Sequence, residues 1–164
     1  MPFASTADID LTGRTAIVTG AARGLGKTMA QALVRAGANV MFTDIDGETV
    51  KAVAAQTAHD GKVRSISSQC DITNLDQCTQ VVTQTIETFG ALHILINNAA
   101  LGPTHIEMAP KTKSMKFYEA DPQAWTRTID TNVNGTYLMS FSAAPELLKA
   151  GWGRIINITT SLPT

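Results

Sequence analysis

A glycine-rich segment near the start of the sequence has the residue types that bind a diphosphate. The segment reads T-G-A-A-R-G-L-G over residues 19–26 and follows a short apolar run. Glycines let the backbone approach a phosphate more closely than any residue with a Cβ, and amides at a helix N-terminus point toward the anion. Its place after a first strand favours phosphate binding over an ordinary tight turn. The candidate binding residues here are Gly20, Arg23, Gly24, Leu25 and Gly26.

The kind of phosphate ligand is a separate question, because Gly26-Lys27-Thr28 looks like the end of a nucleoside-triphosphate loop. That loop needs a glycine five places before Gly26, where this sequence has Ala21. The G-x-G-x-x-G dinucleotide pattern also fails, because Met29 stands at its third glycine. The pattern present is T-G-x-x-x-G-x-G, and an ATP-hydrolysing protein ranks last among the functions considered.

A carboxylate follows the second apolar run of the sequence. Asp44 lies 18 residues after Gly26, near the roughly 20 residues at which an acid binds the ribose hydroxyls in dinucleotide-binding units. A solvent-exposed aspartate at a strand end is the alternative. A carboxylate at this place repels the 2′-phosphate of NADP, so the predicted cofactor is NAD rather than NADP. Arg23 is the counter-signal, because a guanidinium attracts that phosphate.

The order of the elements that must position these residues predicts an α/β protein. Short apolar runs rich in β-branched residues alternate with segments of helical period, as in βα units around a parallel sheet. We therefore expect a Rossmann-like, doubly wound parallel sheet with about five strands, whose C-terminal part is missing. The predicted strands are Thr15–Val18, Val40–Thr43, Val63–Ser67, Leu92–Ile96 and Ile155–Ile158.

Three helices are predicted from apolar residues at helical spacing. Two of them end at Gly37 and Gly90, since glycine readily adopts the left-handed conformation found at many helix C-termini. The third helix runs from about Pro122 to Lys149, with Asp121 as its N-cap. Pro145 is a point at which this helix bends or divides.

Composition argues against two classes of partner. The chain of 164 residues has 13 basic and 14 acidic side chains and a formal charge of −1, without the basic excess that binding to nucleic acid requires. No segment approaches the roughly 20 apolar residues that span a bilayer. We therefore expect one cytoplasmic dinucleotide-binding domain over residues 1–164, with no nucleic-acid, membrane or metal partner. Cys70 and Cys78 are expected to be reduced structural thiols.

Two asparagine-containing motifs come later in the chain. They are N-N-A-A at residues 97–100 and D-T-N-V-N-G at residues 130–135. Together with the glycine-rich turn and Asp44, they make the sequence resemble the short-chain dehydrogenase/reductase family over nearly its whole length. The resemblance implies an NAD(P)-dependent oxidoreductase that transfers a hydride between nicotinamide and an alcohol or ketone. It also implies a homo-oligomer, with the helix near residues 131–149 as the association face; packing of that helix's apolar residues on the sheet is the alternative.

The resemblance assigns cofactor contacts to three groups of positions. They are Gly20, Gly24 and Gly26 at the diphosphate, Asp71 and Ile72 beside the adenine, and Asn98, Ala99 and Ala100 near the ribose. For Asp71, capping of the turn with Thr73 and Asn74 is a nearly equal alternative. Ala100 departs from the family's N-N-A-G and adds one methyl group at the expected ribose contact.

The resemblance also implies catalytic positions. Asn132 matches the family's catalytic asparagine, which holds a proton-relay water, and an ordinary polar helix residue is the alternative. The family's catalytic serine position, counted from Asn157, is held by Thr160, whose hydroxyl can bond the substrate oxygen. Ser161 ranks second and would rank first if the strand breaks at Thr160.

The proton donor that the family uses is absent from the sequence. In the family a tyrosine protonates the developing alkoxide, assisted by a lysine four residues later. Here Tyr118 and Tyr137 are followed four residues later by Pro122 and Phe141. We therefore expect the chain to be the front part of a longer enzyme and to be inactive alone. A tyrosine should lie thirteen positions after Thr160, and a lysine four beyond it. A non-catalytic nucleotide-binding protein is the alternative.

Overall fold

The computed structural model describes residues 9–57, 64–102 and 116–159. These residues form a five-stranded parallel sheet in the order β3-β2-β1-β4-β5. The strands are β1 (Thr15–Thr19), β2 (Asn39–Asp44), β3 (Ser65–Gln69), β4 (Ile94–Asn97) and β5 (Arg154–Asn157). The helices are α1 (Gly24–Arg35), α2 (Gly47–Thr57), α3 (Leu75–Phe89), α4 (Pro122–Ile129) and α5 (Thr136–Lys149). This architecture confirms the predicted Rossmann-like α/β sheet, with strand bounds one or two residues from those expected.

The central strand β1 is buried on both faces of the sheet. Its neighbouring residues Ile17 and Val18 point to opposite sides and belong to two separate apolar clusters. Val18 packs in the cluster that contains residues of α1 and α2, and Ile17 in the one that contains residues of α3 and α5. Helices on both faces explain why the strand reads as a continuous apolar run.

Two helices end at glycines, as the sequence predicts. Gly90 has φ 86°, and its N–H donates to the carbonyl oxygen of Ile86 at 2.8 Å. Gly37 has φ 95° and follows the end of α1. Positive φ is costly for residues with a Cβ, so glycine at these positions determines where the helices end.

Helix α2 was not among the predicted helices, although the sequence carries a signal for it. The Asp46 side chain accepts a hydrogen bond from the Thr49 amide at 3.1 Å before the first turn. Val50, Val53 and Ala54 then repeat at helical spacing and are buried. Several residues of this segment are alanines, whose small side chains make its apolar period weak.

The third predicted helix is divided, but at a different place from the one expected. Asp121 caps α4, as predicted, by accepting from the amides of residues 123 and 124. A π-helical turn over Asp130–Gly135 then separates α4 from α5. Pro145 lies inside α5 without dividing it, because Ala143 and Leu147 on either side of it are packed in the same apolar cluster. The expectation that Pro145 divides the helix is therefore wrong.

Within the described ranges, no helix has the length and apolar character needed to cross a membrane. The same ranges contain no group of three or more His, Cys, Asp or Glu side chains placed to hold a metal ion.

Candidate functional site

A cavity of about 650 Å³ opens at the carboxyl ends of β1, β2, β3 and β4. Ligands of open α/β sheets bind at this edge, and the volume lies within the range of small-molecule sites. Eight of the expected cofactor residues line it: Gly20, Arg23, Asp44, Asp71, Ile72, Asn98, Ala99 and Ala100. The other three, Gly24, Leu25 and Gly26, form the start of α1 and are not part of the lining.

The glycine-rich turn is shaped by close backbone packing. Gly20 has φ 67°, and a Cβ built there would lie 2.8 Å from Asn98 Nδ2. A Cβ on Gly26 would overlap the carbonyl oxygen of Gly20, so this glycine lets α1 approach the turn. Arg23 precedes the helix in an extended conformation, and its side chain makes no capping hydrogen bond to the first turn of α1. The first amides of a helix lack intrahelical acceptors, which makes this end suited to an anion.

Asp44 connects the glycine-rich turn to the loop after β2. Its Oδ2 accepts from the Ala22 amide at 3.0 Å, and its Oδ1 accepts from the Asp46 amide at 3.0 Å. The residue is 9% exposed, so it is not the solvent-exposed aspartate considered as the alternative. Each carboxylate oxygen has further lone pairs, and Asp44 can therefore accept hydrogen bonds from a ligand while holding the turn.

The neighbouring Asp46 is half-buried and therefore more exposed than Asp44. Hydrogen bonds from the Thr49 hydroxyl and amide hold the pKa of Asp46 below its usual value, and the positive charge of Arg23 adds to this effect. Of these three charged residues, Asp44 and Arg23 line the cavity and bring opposite charges to it.

Asp71 makes the contacts of a capping residue. Its Oδ1 accepts from the Thr73 amide at 2.9 Å and from the Thr73 hydroxyl at 2.7 Å. Asn74 caps α3 by accepting from the Gln77 amide. These hydrogen bonds agree with the capping alternative, and Asp71 also lines the cavity together with Ile72. A contact with adenine remains a prediction.

Thr19 joins the ends of β1 and β4, a role that the sequence analysis missed. Its hydroxyl oxygen accepts from the amides of Asn98 and Ala99 at 2.9 and 3.0 Å. In return, Asn98 Nδ2 donates to the carbonyl oxygens of Thr19 and Gly20 at 3.0 and 3.2 Å. The two motifs therefore hold each other, and the threonine of T-G was the available signal.

Asn97 ties three elements together behind the cavity. Its Nδ2 donates to Ser140 Oγ on α5 and to Asn157 Oδ1 on β5, both at 2.9 Å. Its Oδ1 is buried and has no hydrogen-bond partner among the described residues. Ser140 was not predicted, because nothing in its local sequence distinguishes it from other polar helix residues.

Asn132 lies on the π-helical turn, and its side chain bonds to the backbone of Leu101. The backbone carbonyl oxygen of Asn132 accepts a hydrogen bond from the Thr136 hydroxyl at 3.0 Å. It is thus more than an ordinary polar helix residue, although its catalytic role remains a prediction. Thr160 and Ser161 lie outside the described residues, so their distance from Asn132 is not defined here.

Three lining residues come from α4 and the π-helical turn and were missed by the sequence analysis. Arg127, Asp130 and Thr131 complete the cavity opposite the strand ends. Arg127 also lies 3.7 Å from a carboxylate oxygen of Asp121, in a largely exposed ion pair. Only the folded chain brings this helix over the sheet edge, so no local pattern pointed to these residues.

The comparisons with known proteins agree with this geometry. The sequence matches the short chain dehydrogenase family over residues 14–162. It is 28% identical to the 3-oxoacyl-[acyl-carrier-protein] reductase FabG of Aquifex aeolicus, an alignment that covers 93% of this chain and 58% of that protein. It is 36% identical to a 3-alpha-(or 20-beta)-hydroxysteroid dehydrogenase of Mycobacterium bovis, with 92% and 52% covered.

A solved structure of a short-chain type dehydrogenase/reductase from Mycobacterium ulcerans superposes with a TM-score of 0.81 at 29% identity. The superposition covers 93% of this chain and 53% of that one. The chain therefore belongs to the short-chain dehydrogenase family, as the motifs predict. It spans little more than half the length of these relatives.

Proposed function

We propose that this chain is the dinucleotide-binding part of an NAD(P)-dependent oxidoreductase that interconverts an alcohol and a ketone. The observation that carries the proposal is that the glycine-rich turn and the Asp44 carboxylate line the same cavity, where Asp44 accepts from the Ala22 amide. A turn with amides for a diphosphate and an acid for ribose hydroxyls, at the carboxyl ends of parallel strands, fits a dinucleotide better than an isolated phosphate. The family membership supports the same class of reaction.

NAD is the cofactor that the charges favour. The amides of Ala22 and Asp46 hold the Asp44 carboxylate in place, where its remaining lone pairs can accept from the ribose hydroxyls. A 2′-phosphate at the same place would be repelled by this buried carboxylate. Arg23 lines the cavity and attracts a phosphate, but its side chain is exposed and therefore screened by water. The balance favours NAD over NADP.

The cofactor would supply or accept the hydride, and the chain would bind and orient it. Asn132 is proposed to act near the substrate, because it bonds to the backbone of Leu101, a residue that lines the same cavity. Thr160 or Ser161 would donate a hydroxyl hydrogen bond to the substrate oxygen. No tyrosine in the chain is followed by a lysine four residues later, so the acid that protonates the alkoxide must come from elsewhere.

A nucleotide-binding protein without catalytic activity is the second candidate, favoured by that missing tyrosine and lysine pair. The two candidates differ in the natural polypeptide, which should exceed the 17.4 kDa of this chain if it is the longer enzyme. Intact mass and sequencing of the protein from its source test this directly. A source polypeptide of 17.4 kDa that binds NAD without reducing ketones would establish the non-catalytic alternative.

For both candidates, the expected location of the protein is the cytoplasm.

A second copy of the chain is the proposed protein partner. Exposed apolar side chains repeat every four residues along α4, the π-helical turn and α5. They are Trp125, Ile129, Val133, Tyr137 and Phe141, called the apolar stripe below. A contiguous apolar surface of this kind is typical of an association face.

Calorimetric titrations of the chain with NAD, with NADP and with ATP plus magnesium test the cofactor assignment. We expect NAD to bind more tightly than NADP. Asp44→Ala should weaken NAD binding and narrow the difference between the affinities for the two cofactors. Glu87→Ala removes an equal charge from the exposed face of α3 and should leave both affinities unchanged. Tighter binding of NADP would overturn the choice of cofactor, and preference for ATP would overturn the oxidoreductase function.

A further inference from the structure

Arg127 is a cavity residue to which the binding of a diphosphate and a ribose gives no role. It lines the cavity together with Asp130 and Thr131, three and four residues later in the chain. Residues at this spacing are neighbours on one face of a helical segment. The Arg127 side chain is 63% exposed, so its guanidinium is open to a ligand that enters the cavity from solvent.

The part of the cavity after β2 and β3 has the surface that a flat ring requires. The proposed function, on which this inference rests, has the diphosphate at the turn after β1 and the ribose at Asp44 after β2. A base is attached to its ribose on the side away from the diphosphate, and β3 is the next strand beyond β2. The base is therefore expected against Ile45, which is 62% exposed, and Ile72, both of which line the cavity.

The π-helical turn packs against this same part of the wall. Gly135 approaches Ile72 so closely that a Cβ on the glycine would lie 2.7 Å from Ile72 Cδ1. Helix α4 leads into the turn, and Arg127 precedes Thr131 by four residues, or about one helical turn. The long side chain of Arg127 thus faces the cavity from the side opposite the strand ends.

The only ion pair of Arg127 among the described residues is weak. Its Nη2 lies 3.7 Å from Oδ2 of Asp121, which is beyond hydrogen-bond distance. Exposed pairs of this kind contribute little to stability. Asp121 also accepts from the amides of Gln123 and Ala124 at 3.0 and 3.1 Å. Arg127 can therefore turn toward a ligand without leaving the Asp121 carboxylate unsatisfied.

We propose that Arg127 stacks its guanidinium plane on the base of the bound dinucleotide and is thereby a specificity-determining residue for the adenosine half. The guanidinium is planar and delocalised and stacks on aromatic faces, whereas the ammonium of lysine is a compact, strongly hydrated charge. The base then lies between the guanidinium on one face and the apolar surface of Ile45 and Ile72 on the other.

Calorimetric titration of the full 164-residue chain with NAD, NADP and ADP tests this contact. Arg127→Ala should raise the dissociation constants of all three ligands by the same factor of about three to ten, because all three carry the adenine ring. Arg127→Lys keeps the charge and loses the plane, so it should weaken binding almost as much. Arg35→Ala removes an equal charge from an exposed position in the last turn of α1 and should leave all three affinities unchanged.

Other outcomes exclude stacking. Full retention of affinity in Arg127→Lys, or a larger loss for NADP than for NAD in Arg127→Ala, would show attraction to a phosphate and overturn the proposal. The urea midpoint of Arg127→Ala should equal that of the wild type, and a clearly lower midpoint would show a structural role instead. If the wild-type chain binds neither NAD nor ADP, the proposed function fails, and this inference fails with it. If the wild type binds them and Arg127→Ala binds them equally well, the inference alone fails.

Discussion

The Asn132 side chain forms two hydrogen bonds to the backbone of Leu101. Its Oδ1 accepts from the Leu101 amide at 2.8 Å, and its Nδ2 donates to the Leu101 carbonyl oxygen at 3.0 Å. The pair joins the π-helical turn to the segment after β4, two parts of the chain that both line the cavity. Making both bonds needs a hydrogen-bond donor and an acceptor on the same side chain. The asparagine amide has both, whereas the aspartate carboxylate has only acceptors.

Asn132→Asp should therefore loosen this side of the cavity. The carboxylate loses the Nδ2 donor and faces the Leu101 carbonyl oxygen, so we expect a loss of about 1–3 kcal/mol in the free energy of unfolding. NAD affinity should fall as well. Urea denaturation and calorimetric titration measure the two effects. Gln80→Glu makes the same chemical change on the exposed face of α3 and should have little effect. Equal stability of Asn132→Asp and wild type would show that the paired bonds contribute nothing.

Gly135→Ala should disturb the cavity wall at Ile72. A Cβ at Gly135 would lie 2.7 Å from both Cγ1 and Cδ1 of Ile72, which lines the cavity. Overpacking of this kind typically costs about 1–3 kcal/mol. The second substitution Ile72→Ala removes both contacting atoms, so the cost of Gly135→Ala should shrink in that background.

Gly102→Ala is the control for this cycle, because a Cβ there meets no atom of the described residues within 4 Å. The cycle consists of the wild type, the two single variants and the double variant. Thermal unfolding and NAD titration of these four proteins give the coupling energy between positions 72 and 135. If Gly135→Ala lowers stability equally with Ile72 and with alanine at position 72, the strain does not arise from the contact with Ile72.

Stability should depend on pH through His93. Its Nδ1 accepts from the Thr15 amide at 3.1 Å, a bond that needs the neutral ring. Burial, and then the charge of Arg14, lower the pKa of His93 from 6.5. The folded chain therefore binds fewer protons than the unfolded chain, and this contribution is complete above about pH 6.5 and is lost as the pH falls below it.

Comparison with His93→Asn isolates this effect, because the asparagine Oδ1 can accept from the same amide without titrating. Urea denaturation between pH 5 and 8 should show a smaller loss of stability on acidification for the variant. The other two histidines and all carboxylates are common to both proteins and cancel in the difference. Parallel curves for the two proteins would rule out His93 as the source.

The apolar stripe predicts a change in assembly on substitution. Tyr137 and Phe141 are exposed, and their ring centroids are 5.9 Å apart. We expect the wild-type chain to sediment above its monomer mass of 17.4 kDa, and Phe141→Lys to shift it toward the monomer. Leu75→Lys changes an exposed apolar residue on α3, outside the stripe, and should leave the assembly intact. A wild-type chain that stays monomeric at high concentration contradicts the proposal.

The sequence by itself determined those features that depend on neighbouring residues. Apolar runs marked the five strands, Gly37 and Gly90 marked helix ends, and Asp121 marked a helix start, because each of these follows from local backbone preference. The glycine-rich turn and Asp44 were found in the same way, as residue types next to strand ends. Helix α2 belongs to this class too, since its apolar period is present in the sequence.

Only the tertiary structure decided which distant residues meet. The bonds of Asn132 to Leu101 and of Asp44 to Ala22 join positions 31 and 22 residues apart, and His93 meets Thr15 across 78 residues. The strand order places β1 between β2 and β4, which brings the ends of separate βα units to one cavity. The third predicted helix is interrupted at the π-helical turn, whose Gly135 packs against Ile72, and this contact too exists only in the folded chain. Local propensity contains no term for such contacts, because they arise only when the sheet has formed and its helices have packed on both faces.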